Sequence, residues 1–216
     1  MNMIKFRVMA AAVALACAGS AHALDVSLFN EGDTTNQVTI RIGGSSAHDN
    51  GLERLMTLTA AGGAEICQPG TLDLYRTADK NGRLFFCRAG ANAGSGLAGK
   101  RLAVFKRSNG GSGVGVGTVL RTGTLSLTDG STVAPNYLNP AAIGGFTGTP
   151  VAANGNFAAY TLHDGVTNSL TVPAPSNASD AGISDEEPSK FLSVYSPAIT
   201  SVEAGSLAIK GISGVI

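Results

Sequence analysis

Alternating apolar and polar positions, rich in β-branched residues, mark the strands that the sequence predicts. The predicted strands are 38–42, 72–76, 83–88, 101–106 and the shorter segment 181–185. The second and third are separated by the turn-forming residues 79–82, so we expect them to pair as a hairpin.

Two helices are predicted beside these strands. Near 49–60, apolar residues recur at helical spacing, with Asp49 and Asn50 as capping candidates. Near 188–196, acidic residues and a proline precede the apolar positions, as is usual in a first helical turn. The order of strand, glycine–serine turn at 43–46 and helix is typical of the start of an α/β domain.

The middle of the chain departs from this pattern. Residues 122–177 are rich in proline, glycine, asparagine and threonine, which predicts mainly loop with a few short strands. We therefore expect residues 24–216 to form a single α/β lobe with a loop- and β-rich insertion at about 122–177.

The composition of the chain argues against two classes of protein. The 216 residues include 29 glycines, and 15 Lys and Arg balance 15 Asp and Glu. A hydrophobic fraction of 44% without net charge argues against a disordered chain. Because no excess of positive charge is present to neutralise phosphates, a nucleic-acid-binding protein is not expected.

The first 23 residues have the pattern of a cleaved secretory signal peptide. Lys5 and Arg7 precede the apolar stretch 8–18, and cleavage is expected after Ala23. That stretch is shorter than the roughly 20 residues that span a bilayer, so a permanent anchor is the weaker interpretation. A lipoprotein attached through Cys17 is the other alternative, but the residues before it depart from the usual lipobox. We expect a periplasmic or secreted protein.

Export determines how the two remaining cysteines are interpreted. Cys67 and Cys87 form an even pair in an oxidising compartment, so a disulfide between them is expected. Closing a loop of about 20 residues would stabilise the fold by about 3 kcal/mol. A reactive thiol or a metal site is less favoured, because no histidine lies near either cysteine in the sequence.

Turns rich in glycine and serine follow the predicted strands at 43–46, 108–113 and 182–185. The first and third also precede predicted helices, whose N-terminal N–H groups and dipole favour a bound anion. Taken singly, each turn is better explained as a tight connection, since glycine and serine dominate turns. Together they favour a binding cleft, because such turns gather at the carboxyl ends of strands in open α/β sheets.

The order of these turns in an exported chain carries a family resemblance. Gly-Gly-Ser-Ser-Ala at 43–47 is followed by Lys-Arg-Ser-Asn-Gly-Gly-Ser-Gly at 106–113 and by Gly-Ile-Ser-Asp-Glu-Glu-Pro at 182–188. The series resembles the phosphate-binding-like group of type II periplasmic substrate-binding proteins. The resemblance implies ligand-binding roles for Ser45, Ser46, Ser108, Gly110, Gly111, Ser112, Ser184 and Asp185. Asp185 would accept a hydrogen bond from a protonated oxyanion, or would instead cap the following helix.

The resemblance also implies a function. It predicts a non-catalytic solute-binding protein for a small oxyanion such as phosphate, without cofactor or metal, that serves an ABC-type membrane transporter. Family members have two lobes, whereas only 31 residues follow Asp185 in this chain. We therefore expect an N-terminal lobe, in a truncated or fragmentary form, with the second lobe missing.

Two other function classes stay open at this point. The glycine-, threonine- and asparagine-rich middle of the chain is also typical of a secreted structural or surface-adhesion protein, which would contain almost no helix. An exported serine hydrolase is less favoured than either. It would require Ser112 or Ser184 to lie beside His163.

Overall fold

A computed structural model of the chain describes residues 24, 26–108, 111, 112, 115, 119, 125–126, 132–133, 148–164 and 179–185. The predicted signal peptide, Gly110 and the predicted helix near 188–196 lie outside these ranges. Within them, no helix has both the length and the apolar character needed to cross a membrane.

The described residues contain strands, one α-helix that is described over its whole length, two short 3-10 helices, and further helical residues at 111, 112, 115 and 119. The strands are β1 (Gln37–Gly44), β2 (Asp73–Arg76), β3 (Gly82–Arg88), β4 (Arg101–Arg107), β5 (Leu125–Ser126), β6 (Thr132–Val133), β7 (Thr149–Val151), β8 (Tyr160–Asp164) and β9 (Ala181–Ile183). The α-helix, α1, spans Asp49–Thr57, and the 3-10 helices span Val26–Leu28 and Ser46–His48.

Seven strands form one mixed sheet in the order β7-β8-β2-β3-β4-β1-β9, and β5 pairs separately with β6. β1 is parallel to both β4 and β9, and β2 is parallel to β8. β3 runs antiparallel to β2 and β4, and β7 runs antiparallel to β8. The fold is therefore α/β-like in part, with parallel and antiparallel pairs combined in one sheet.

The predicted strands are confirmed, with ends that differ by up to two residues. β2 and β3 form the predicted hairpin. The helix near 49–60 is confirmed but ends at Thr57, since Leu58 is extended and bridges to Phe157. Asp49 is the first residue of α1 rather than a side-chain cap, and the residue before it, His48, makes no capping hydrogen bond through its side chain. Ser45 caps the preceding 3-10 helix by accepting a hydrogen bond from Ala47 N.

The segment predicted to be an insertion contributes to the main sheet. Within 122–177, residues 148–164 supply β7 and β8, and β8 lies beside β2. Leu162 of β8 packs against one of the two apolar clusters of the core.

Apolar side chains cover both faces of the sheet, because alternate residues of a strand point to opposite faces. On one face the buried cluster consists of Leu24, Tyr75, Leu84, Phe86, Ala103 and Phe105. On the other it consists of Met56, Cys67, Leu72, Leu74, Phe85, Cys87, Ala89, Leu102 and Val104. The second cluster contains the predicted disulfide, which joins Cys67 to Cys87 in β3.

Candidate functional site

The carboxyl ends of β4, β1 and β9 meet at one edge of the sheet. The three strands are parallel neighbours, with Gly43 opposite Arg107 and Gly44 opposite Ile183. The residues that follow them are called the β1 turn (45–46), the β4 turn (108–112) and the β9 turn (184–185). Since adjacent strands lie about 4.8 Å apart, these turns begin within about 10 Å of one another.

Lys106, near the end of β4, links the β1 turn to the β4 turn through hydrogen bonds. Its fully buried ammonium donates to the backbone oxygens of Gly44, at 2.8 Å, and Ser45, at 3.0 Å. It also lies 2.9 Å from Ser108 Oγ, at the start of the β4 turn. Backbone oxygens that would otherwise be buried without partners are thereby satisfied.

Asp49, at the start of α1, supplies the countercharge. Its carboxylate lies 3.2 Å from the Lys106 ammonium, and Ser108 Oγ donates to it at 2.8 Å. Arg83 of β3 pairs with the same carboxylate at 2.5 Å and with Glu53 at 2.7 Å. Burial lowers the pKa of Lys106 from its usual value, while the Asp49 charge opposes that shift.

Glycines let the backbones at this edge approach closely. A Cβ on Gly44, where φ is +121°, would come within 1.9 Å of Ile183 O. A Cβ on Gly182 would meet Gly115 O at 1.9 Å, and Gly115 lies in a helical conformation after the β4 turn. Larger residues at these positions would separate β9 and the segment after β4 from β1.

Asp185 links the β9 turn to the β4 turn. The hydroxyl of Ser112 donates a short hydrogen bond to the Asp185 carboxylate, and Asp185 N donates back to Ser112 Oγ at 3.2 Å. Ser45 N of the β1 turn donates to Ile183 O, just before the β9 turn, at 3.0 Å. The Ser112 hydrogen bond is the largest cause of a lowered pKa at Asp185, and the Ser45 side chain and His48 act in the same direction. The structure thus places residues of the β1 and β4 turns beside a negatively charged group of the β9 turn.

The remaining predicted ligand residues differ in their surroundings. Ser46 is exposed at the start of a 3-10 helix, and among the described residues neither its N–H nor its hydroxyl has an acceptor. Gly111 has a φ of +62°, a conformation that glycine adopts without strain. Ser184 is half-buried and already interacts with other groups. Gly110 lies outside the described residues.

His163 does not approach the β4 or β9 turn. It lies on β8, where Nε2 is 2.7 Å from a carboxylate oxygen of Asp73 and the ring stacks on Tyr75 with centroids 4.2 Å apart. β8 is three strand spacings from β4 and five from β9, which corresponds to about 14 and 24 Å. The pairing of His163 with Ser112 or Ser184 that a serine hydrolase requires is therefore not formed.

Sequence reasoning missed the buried ion network beneath the turns. The sequence predicts Asp49 as a capping candidate, and Lys106 as the end of a strand and the start of the motif at 106–113, with no ion pair between them. The alternation of Leu102, Val104 and Lys106 was the available signal, because it places the lysine on the apolar face of β4. A lysine at such a position needs a buried partner.

Comparison with protein-family models, curated proteins and solved structures finds no match to this chain. Its function is therefore inferred from the three turns and from the residues that they bring together.

Proposed function

We propose that the protein is an exported, non-catalytic solute-binding protein whose ligand is a small oxyanion such as phosphate. The observation that carries the proposal is the hydrogen bond by which the Ser112 hydroxyl of the β4 turn holds the Asp185 carboxylate of the β9 turn, next to the β1 turn. A group of donors that stabilises a carboxylate has the chemistry needed to bind another oxyanion. The proposed partner is an ABC-type membrane transporter that receives the solute.

The surroundings of the turns support an anionic ligand. Lys106, Arg83 and Arg76 lie side by side on β4, β3 and β2, because the register pairs Arg83 with both of the others. Asp49 and Glu53 of α1 pair with these cations. Three cations against two carboxylates leave one positive charge beneath the edge, which favours an anion there.

Ser46 is an exposed candidate donor. It lies at the β1 turn, and among the described residues neither its N–H nor its hydroxyl has an acceptor. The Ser112 hydroxyl can donate to a ligand only after it has released the Asp185 carboxylate. Because this exchange and the cost of association offset part of the gain, we expect weak binding.

Isothermal titration of the purified protein with inorganic phosphate tests the proposal. We expect saturable binding of one phosphate, weakened at least fivefold in Ser112→Ala and in Ser46→Ala. Ser95→Ala is the matched control, because Ser95 is exposed in the connection between β3 and β4 at the opposite edge of the sheet. Equal binding by all four proteins, or none, would refute the assignment of the site.

A further inference from the structure

The hydroxyl of Ser112 already holds an anion, and that anion belongs to the protein. Ser112 Oγ donates to the Asp185 carboxylate, and the Ser45 side chain contributes to lowering the pKa of the same carboxyl group. Ser112 is buried. Asp185 itself is exposed.

The Ser112 hydroxyl can serve only one acceptor at a time. A serine hydroxyl carries one proton and can donate one hydrogen bond at a time. While Ser112 donates to Asp185, it cannot donate to a second oxyanion. A phosphate at the same place would also lie against the Asp185 carboxylate, and the two negative charges would repel each other.

We infer that Asp185 occupies the oxyanion site of the unliganded protein and that an oxyanion binds by displacing its carboxylate. This inference rests on the proposed function. It extends that function by assigning to Asp185 the role of an internal competitor for the binding site. This competition sets the oxyanion concentration that is needed for binding.

The position of Asp185 in the chain makes the displacement feasible. β9 ends at Ile183, so Asp185 lies beyond the last ladder pair, Gly44 with Ile183. Its side chain can turn toward solvent without breaking the pairing of β9 with β1. The backbone hydrogen bond from Asp185 N to Ser112 Oγ, at 3.2 Å, can persist after the carboxylate has left, because that hydroxyl oxygen is the acceptor.

The local charge favours exchange of one anion for another. The network of Lys106, Arg83 and Arg76 with Asp49 and Glu53 carries one net positive charge, which favours an anion near this edge of the sheet. An incoming oxyanion replaces the negative charge of the Asp185 carboxylate at the Ser112 hydroxyl, so the exchange leaves the local charge unchanged. The ligand class is accordingly a compact oxyanion with at least two oxygens that accept hydrogen bonds, such as phosphate or a small carboxylate.

Removing the carboxylate tests the inference. Asp185→Ala is expected to bind inorganic phosphate at least tenfold more tightly than the wild-type protein, a gain of about 1.4 kcal/mol. Formate is expected to compete with phosphate in this variant, because it replaces the missing carboxylate. Asp185→Asn is expected to show an intermediate affinity, because its amide oxygen still accepts a hydrogen bond but carries no charge.

Two controls separate displacement from other effects. Asp33→Ala removes a negative charge at the opposite end of β1 and β4, where Asp33 pairs with Arg101, and should leave phosphate affinity unchanged. Adding Ser112→Ala to Asp185→Ala should abolish the gain, since the donor is then lost. Thermal unfolding of each variant tests a purely structural role, in which Asp185 only joins β9 to the β4 turn. In that case the Asp185 variants lose stability while their phosphate affinity equals that of the wild-type protein.

The outcomes distinguish the two claims. If the wild-type protein binds phosphate and the Asp185 variants bind it equally or more weakly, the inference is wrong and the proposed function stands. If no variant and no wild-type sample binds phosphate, the proposed function fails and the inference fails with it.

Discussion

Replacing Lys106 with methionine removes the ammonium group that links the β1 turn to β4 by hydrogen bonds. Methionine has a similar volume and no donor, so the change leaves the apolar packing in place. The backbone oxygens of Gly44 and Ser45 lose a donor at 2.8 and 3.0 Å, and Ser108 Oγ loses a contact at 2.9 Å. Asp49 keeps its ion pair with Arg83.

The expected cost follows from these lost contacts. Each hydrogen bond from a charged donor contributes about 1.5 to 3 kcal/mol, and the energy needed to bury the ammonium offsets part of the total. Loss of one member of a buried ion pair costs about 3 to 5 kcal/mol in other proteins. We therefore expect the free energy of unfolding to fall by about 4 kcal/mol, a large share of the roughly 5 to 15 kcal/mol that stabilises a typical domain.

Urea unfolding measures this change. With a denaturant dependence of about 2 kcal/mol per molar, the unfolding midpoint of Lys106→Met should lie about 2 M below that of the wild-type protein. Lys100→Met is the matched control, because Lys100 is partly exposed at the opposite end of β4 and should change the midpoint little. A midpoint for Lys106→Met within about 0.3 M of the wild-type value would show that the buried lysine does not hold the edge together.

Three further predictions concern the disulfide, the glycines and acid stability. Replacing both disulfide cysteines with alanine should lower the free energy of unfolding by about 3 kcal/mol, as urea unfolding would show, because the bond closes a loop across a sequence separation of 20. Gly182→Ala should destabilise the protein by about 1 to 3 kcal/mol, since its Cβ would overlap a backbone oxygen. Gly51 lies in α1 with open space around it, so Gly51→Ala should stabilise the protein by about 1 kcal/mol. Thermal unfolding should therefore rank Gly51→Ala above Gly182→Ala in stability, and the reverse order would contradict both estimates. The lowered pKa of Asp185 means that its ionised carboxylate stabilises the folded protein. This contribution is fully present above pH 3.8, the ordinary pKa of the group, and is lost as the pH falls through the lowered pKa. Asp185→Asn should therefore lose less stability than the wild-type protein between pH 5 and about pH 2, and an equal loss would contradict this role.

Local patterns were sufficient to predict much of the sheet. The alternation in 38–42 and 101–106 predicted β1 and β4, because a strand with apolar neighbours must present alternate residues to a core. The turn residues at 79–82 predicted the hairpin of β2 and β3. The disulfide was predicted from the even number of exported cysteines, and Cys67 and Cys87 are joined as expected.

Contacts between residues far apart in sequence could not be predicted in this way. Ser112 and Asp185 are separated by 73 residues, and nothing in either turn specifies the other as its hydrogen-bonding partner. Lys106 occupies an apolar position of β4, yet its partner Asp49 was recognisable only after the sheet had placed α1 above it. β8 joined the main sheet from a segment whose prolines and glycines indicated loop, because pairing with β2 outweighed weak local preferences.

The resemblance to periplasmic binding proteins implied ligand-binding roles for residues of three turns, and the structure places these turns at one edge of the sheet. The resemblance did not predict that Ser112 would bond to Asp185, since in the family pattern these groups face a ligand. The difference matters physically because a donor already engaged by a carboxylate has to exchange partners before it can bind an anion.

Titration of the isotope-labelled protein with inorganic phosphate, followed by NMR of backbone amides, tests the central claim most directly. The account predicts that the amide signals of Ser46, Ser112 and Asp185 shift together and saturate with one dissociation constant, because the three turns bind one anion. Signals near His163, on the far side of the sheet, should not move. Shifts confined to a single turn, or scattered over the molecule without saturation, would contradict a shared oxyanion site.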